Sequence, residues 1–319
     1  METIVLTRKD VESIISMKEA INAVEEAFRL YATSKAIMPP KVYLTLEDGD
    51  FRAMPSYLMG YAGVKWVNSH PKNPEKGLPT VMAVFILNDP KNGFPLAIMD
   101  ATFLTSLRTG AAGGVAAKHL ARENSKVFGF IGCGKQAIFQ LLAIKEIFDI
   151  ELVKAYDISE KAELAFKEFC KKEGVDCRIT NAKDACDCDV LITTTSSTSP
   201  VVKKDWIKEG THINAIGADA PGKQELEIEI LKKSKIVVDD LEQALHGGEV
   251  NVAHSLGIIR RENIYATLGE IVAGIKKGRE GNEITIFDST GLAIQDLAVA
   301  KIVYEKAVKK DLGMKIELI

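Results

Sequence analysis

The chain has 319 residues, 46% of them hydrophobic and 27% charged, enough for two packed domains and too apolar for extended disorder. Its formal charge of −3 comes from 41 basic and 44 acidic side chains with no arginine-rich tract, which excludes the clustered basic face of a nucleic-acid binder. No apolar run approaches the ~18 residues of a membrane span, and the opening residues Met1–Arg8 lack the basic and apolar regions of a secretory leader, so the expectation is a cytoplasmic protein with no membrane partner.

In chain order, Asp10–Ser13 and Met17–Ser34 read as helices, the second with an apolar stripe of Ile21, Val24, Phe28 and Leu30–Tyr31. After Pro39-Pro40 the pattern changes to short extended runs: Lys41–Leu46, Phe51–Met54, Ala62–Asn68, Thr80–Asn88 and Phe94–Met99. The breakers Asp48-Gly49, Pro71–Pro74 and Asp89–Gly93 separate them, as in an antiparallel sheet or small barrel of hairpins. A long alanine-rich helix over Ala101–Asn124 follows, interrupted at Gly110 and Gly113-Gly114. These glycines read as sites of close backbone approach, ahead of a phosphate cradle as the alternative.

From Val127 the rhythm is strand–helix–strand. Strands are expected at Val127–Ile131, Leu152–Tyr156, Val175–Ile179, Asp189–Thr194, His212–Ile216, Lys235–Val238 and Glu283–Phe287, with helices at Gln136–Phe148 and Ser159–Lys172. Such alternation predicts a Rossmann-type doubly wound parallel sheet. A last helix, Gly291–Lys309, is placed to return to the first domain. The expected division is an α+β domain of residues 1–116 completed by 296–319, and a dinucleotide-binding domain of residues 117–295.

The segment from Val127 to Ala137 fits G-x-G-x-x-A after a buried strand, and Asp157 stands 20 residues beyond Ala137 at the next strand's end. Gly132 permits the tight turn, Gly134 lets the backbone approach a pyrophosphate, and the helix N-terminus supplies unpaired N–H groups. Asp157 would accept the adenosine ribose hydroxyls, and Ile158-Ser159-Glu160 offers no arginine for a 2′-phosphate, which favours NAD over NADP as the expected cofactor. Thr193–Ser196 and Gly217-Ala218-Asp219 follow strands at the same sheet edge. The five cysteines, 133, 170, 177, 186 and 188, include no CxxC pair and read as reduced thiols, and Cys186-Asp187-Cys188 is not a structural zinc spacing. No metal is expected. His70, beside Pro71, reads as a packing residue, and His119, His212, His246 and His254 have no triad or metal spacing.

Several separated blocks then coincide: Phe51–Pro55, Gly63–Pro71, Ser106–Ala112, Gly132-Cys133-Gly134, Ile216–Asp219 and Phe287–Gly291. Together they closely resemble the ornithine cyclodeaminase/μ-crystallin family over essentially the whole chain, and most specifically its archaeal alanine dehydrogenase branch. The resemblance implies a homodimer of two-domain subunits, the chain ends building a substrate and dimerisation domain, with hydride passing in a cleft between substrate Cα and nicotinamide. It implies Lys65 as acid/base and Asp219 as the acidic partner near the substrate nitrogen or the attacking water. Lys41 and Arg52 line the substrate end, and Arg108 and Thr109 contact the substrate carboxylate or cofactor phosphates. Lys135, Gln136, Asp157, Ile158, Ser159, Gly217, Ala218 and Ser289 fall near the dinucleotide. Lys65 is independently conspicuous, because a lysine in the apolar pattern Gly63–Val67 is costly without a partner or a task.

The family's ornithine cyclodeaminases carry a glutamate two residues before Met-Pro, and Arg52 stands there in this chain. A guanidinium repels a distal ammonium, so the expected reaction is NAD-dependent deamination of L-alanine to pyruvate and ammonia. Lys41 replaces the family's carboxylate-binding arginine, keeping the charge but losing the bidentate fork. The alternatives are ornithine cyclodeaminase or ketimine reductase chemistry, or a non-catalytic dinucleotide-binding protein of the μ-crystallin kind.

Overall fold

The computed structural model describes residues 2–319. Two compact units are present, the first running to Arg108 and resuming over Leu292–Ile319, the second spanning Thr109–Gly291. Among the described residues no helix is long and apolar enough to cross a membrane.

The first unit opens with strand β1 (Thr3–Leu6) and helices α1 (Arg8–Ile14) and α2 (Met17–Ala32). Capping boxes start both helices, Thr7 with Asp10 and Ser16 with Glu19, satisfying N–H groups that the first turn leaves unpaired. Hairpins follow as β2 (Val42–Leu46), β3 (Gly49–Leu58), β4 (Tyr61–Ser69), β5 (Val81–Asn88) and β6 (Pro95–Asp100). The β3–β4 turn is Met59-Gly60, both left-handed with φ of 50° and 80°, the backbone that tight hairpins favour. With β15 (Met314–Ile316), these strands form a seven-stranded sheet in the order β15-β1-β6-β5-β4-β3-β2. Its edges are open, so the barrel alternative does not form within the chain, and the β1–β6 pair is parallel. Strand β3 continues past Pro55, where a stop was expected. Its pairing with β2 ends at Ala53, so proline removes no ladder donor there.

Helix α3 (Thr102–Leu120) contains the division between the units and leads into the second. There, β7 (Val127–Ile131), β8 (Leu152–Tyr156), β9 (Cys177–Ile179), β10 (Val190–Thr193), β11 (His212–Ala215), β12 (Lys235–Val238), β13 (Ile264–Thr267) and β14 (Thr285–Asp288) pair in the order β13-β12-β14-β11-β10-β7-β8-β9. Every pair is parallel. Around the sheet lie α4 (Lys135–Lys145), α5 (Glu160–Lys172), α6 (Ala182–Ala185), α7 (Ile228–Leu231), α8 (Leu241–Gly247), α9 (Asn251–Ser255) and α10 (Leu268–Val272). The α3 glycines do not interrupt the helix. A Cβ on Gly110 would lie 2.4 Å from the Phe139 carbonyl oxygen and one on Gly113 1.9 Å from Gln140 Oε1, so they let α4 approach closely. Helix α11 (Ala293–Lys310) returns to the first unit and lies against α2, β3 and β4.

Candidate active site

Lys65 sits mid-strand in β4, opposite Met54 on one side and Phe85 on the other, and is 1% exposed. Its ammonium pairs with Asp296, Nζ to Oδ2 at 2.7 Å. Asp296, fully buried in the first turn of α11, gives its other oxygen to Arg108 Nε at 2.9 Å, and Arg108 Nη1 donates to Gln295 Oε1 at 3.0 Å. Two buried cations therefore share one carboxylate. Burial pulls Lys65 down to about 7; Asp296 opposes the fall, and the like charges of Arg108 and Lys41 add to it. A lysine so placed exists in both protonation states near neutrality, the condition for moving a proton in either direction.

Arg52 shares the sheet face of Lys65 by register, since it opposes Val67 while Met54 opposes Lys65. It is not the isolated cation the sequence leads one to expect. Asp50 accepts two hydrogen bonds from it, at 2.7 and 3.1 Å, and its guanidinium lies 5.5 Å from the Tyr43 ring centre. The guanidinium charge is therefore partly balanced by the Asp50 carboxylate.

In the second unit, Gly132 adopts φ +94°, and Gly134 starts α4 with no atom within 4 Å of a built Cβ. The space over the helix N-terminus is thus kept clear by the missing side chain. Ala137 is fully buried, as close helix–sheet packing needs. Asp157 accepts from Cys133 N–H at 2.7 Å and Ser159 N–H at 2.8 Å, which aims its carboxylate across the glycine turn. Ile158 is 95% exposed. The buried atoms Gln136 Oε1 and Ser289 Oγ have no hydrogen-bond partner. Open glycine turn, presented carboxylate and orphaned polar atoms together fit a dinucleotide. Lys135 is exposed at the start of α4, and Thr109 offers its carbonyl to Gln140 at 3.0 Å. Gly217 donates its N–H to Glu225 at 2.9 Å, Ala218 is buried, and Asp219 pairs with Lys223 at 2.5 Å.

The sequence reading missed Asp296, Gln295 and Lys223. Two histidines, His212 and His70, have defined side-chain partners. Burial drives His212 down to about 3 while its ring nitrogens engage Thr285 and Asn214, each at 2.9 Å. His70 bonds Asn68 at 2.8 Å and packs edge-on against Phe51. All five cysteines are free thiols, and among the described residues no group of histidine, cysteine or acidic side chains could hold a metal ion.

The chain is 68% identical over 318 residues to an alanine dehydrogenase of Archaeoglobus fulgidus, covering 99% of each. It superposes on the solved structure of an archaeal alanine dehydrogenase dimer with bound NAD at TM-score 0.99, with 68% identity and 100% of both chains covered. A Δ1-pyrroline-2-carboxylate reductase of Thermococcus litoralis, solved with NADH and L-proline, matches at TM-score 0.96 and 45% identity over 98% of this chain and 100% of that one. The model of the ornithine cyclodeaminase/mu-crystallin family matches residues 1–311, and the chain belongs to that family.

Proposed function

We propose that the chain catalyses the reversible, NAD-dependent oxidative deamination of L-alanine to pyruvate and ammonia. The observation that carries the reaction class is Lys65, buried, pulled down to about 7 and held against Asp296; the choice of alanine follows the full-length likeness to an alanine dehydrogenase. The first unit serves as substrate and dimerisation domain, and the second holds NAD through Gly132, Gly134, Lys135, Gln136, Asp157, Ile158, Ser159, Gly217, Ala218 and Ser289, with Thr109 at the phosphates. The five free thiols suit a reducing cytoplasm.

Bound NAD⁺ supplies the hydride acceptor for the substrate Cα. Arg108 and Lys41 meet the substrate carboxylate while Arg52 closes the far end. Neutral Lys65 takes a proton from the substrate ammonium. Asp219 takes one proton of the water that adds to the iminium carbon, and Lys65 returns its proton to the amine. The carbinolamine hydroxyl gives up the water's second proton as the carbonyl forms, so that the nitrogen leaves as ammonium and Asp219 releases its proton to solvent. The reverse direction needs Lys65 protonated at the start. The experiment is to follow NAD reduction with alanine and, separately, proline formation from ornithine in the presence of NAD: alanine should turn over and ornithine should form almost no proline. The T. litoralis likeness makes cyclic-imine reduction the second reading, and faster NADH oxidation with Δ1-pyrroline-2-carboxylate than with pyruvate and ammonium would select it.

Cofactor preference follows from Asp157. A 2′-phosphate beside its carboxylate brings like charges together, so kcat/KM should favour NAD over NADP, and Asp157→Ser should narrow the gap; equal values in the unmodified chain would contradict the assignment. Dimerisation is supported by an apolar sheet face that the chain itself leaves uncovered. Leu44, Trp66 and Val84 share it by register with Phe51, at 50%, 44% and 45% exposure for the first three, and Trp66 stacks on Phe51. A patch of this kind marks an interface between copies. Trp66→Glu should shift the chain toward monomer in light scattering, and an unchanged mass would place the contact elsewhere.

A further inference from the structure

The C-terminal edge of the parallel sheet carries four fully buried carboxylates, Glu225, Asp239, Glu249 and Asp288, none of which has a role above. Each spends its oxygens on another segment's backbone. Asp239, after β12, accepts the N–H groups of Thr290 and Gly291, both at 2.7 Å. Asp288, closing β14, accepts those of Glu249 and Val250 at 2.9 and 3.1 Å. Glu249 accepts those of Glu225 and Leu226 at 3.0 and 2.7 Å. Glu225 completes the series. Its Oε1 takes the N–H and hydroxyl of Thr195 at 2.6 and 2.7 Å, and its Oε2 takes the Thr193 hydroxyl and the Gly217 N–H at 2.7 and 2.9 Å.

We propose that Glu225 is a positioning residue for catalysis: it locks the turn after β10 to the turn after β11 and so fixes the backbone of Gly217, Ala218 and Asp219. The inference rests on the proposed function, which assigns those residues to the dinucleotide and to proton transfer. Four donors converge on the four acceptor sites of one carboxylate, and an amide would turn an N–H₂ toward two of them. Among the described residues no lysine or arginine pairs with Glu225. Burial pushes Glu225, Glu249 and Asp288 upward, the last to about 8, and at Glu225 the four donors oppose the rise. The glycine beside it is needed for the same contact, because a Cβ on Gly217 would lie 2.6 Å from Glu225 Oε1 and 2.1 Å from the Thr195 carbonyl oxygen.

The test compares Glu225→Gln with Glu249→Gln, which loosens the clamp one step further from the turns. The melting temperature is measured without cofactor, and below that transition the NADH dissociation constant by fluorescence titration and kcat with KM for pyruvate. Both variants should melt earlier. Losing hydrogen bonds to a charged group costs enough that Glu225→Gln should weaken NADH binding by about tenfold or more and lower kcat, while Glu249→Gln holds NADH within about threefold of the wild type. Thr193→Val, which removes the hydroxyl donated to Glu225 Oε2, should weaken NADH binding in the same direction with a smaller fall in melting temperature, and it decides the matter if Glu225→Gln does not fold. A Glu225→Gln protein that melts earlier yet binds NADH and turns over as the wild type does overturns the proposal, as does equal weakening in the two glutamine variants. Failure of the wild type to bind NADH would instead overturn the proposed function on which the inference rests.

Discussion

Replacing Lys65 by methionine should lower kcat by at least ~10²-fold in both directions, the usual scale for losing a general acid–base group, without destabilising the fold. The two halves of this expectation share one cause. The lysine is 1% exposed and burial is the largest influence on it, so its charge is held at a cost that function requires and folding does not. Methionine fills similar volume without that charge, and Asp296 keeps Arg108 at 2.9 Å. The sign of the pH effect follows from the downward shift. Lys65 ionises near 7 in the folded chain against an ordinary 10.5, so between these values the unfolded chain binds a proton that the folded one has released. Stability gained from this residue therefore rises with pH across that window, and Lys65→Met should abolish this part of the slope. Activity follows the same group: kcat/KM for pyruvate should fall as pH rises through about 7, where the acid form is lost. A methionine variant that retains activity within a few-fold would remove Lys65 from the mechanism. One that is inactive and also several kcal/mol less stable would show that the ion pair holds the fold together.

Asp296→Asn should do the opposite to stability. It leaves two buried cations facing an amide, and stranding a buried charge costs about 3–5 kcal/mol. The main force holding Lys65 in its charged form is also lost, so the pH at which pyruvate turnover falls should move lower than in the wild type. Urea melts and the pH profile of kcat/KM together check the assignment. An unchanged midpoint of denaturation would mean that water or the substrate-binding side already compensates the cations, and an unmoved profile would separate Asp296 from Lys65 function.

What was legible in the sequence was local. The glycine turn, the acidic residue after the second strand and the apolar runs of β7, β8, β10, β11 and β12 each declare themselves within about a dozen residues. Strands β1 and β15 do not, because they are short and pair the two chain ends, Thr3 opposite Ile316. Strand β13 is no shorter than β10, β11 and β12, but it follows the charged turn Arg260–Glu262 and only Ala266 of its four residues is buried, so no solid apolar run marks it. The hairpin strands were visible, but whether they closed into a barrel depended on which edges met, and no local pattern states that. Lys65 was found because a charge interrupts an apolar strand. Asp296 was missed although the same argument applies to it: it is the only acidic residue between Asp288 and Glu305, on the apolar side of a helix. Its partner Arg108 lies 188 residues away, so only a charge balance, asking what neutralises two buried cations, would have pointed to it. Arg52 shows the converse limit. Its identity was informative, but its pairing with Asp50, two residues earlier on the same strand, changes the charge it presents.

The most direct test of the account is the product formed from pyruvate, ammonium and NADH by the wild-type chain. The expected result is one L-alanine for each NADH consumed, with the Lys65→Met protein forming almost none under the same conditions while still binding NADH. NADH left unconsumed with pyruvate and ammonium, but consumed with Δ1-pyrroline-2-carboxylate, would contradict it and assign the site to cyclic-imine reduction.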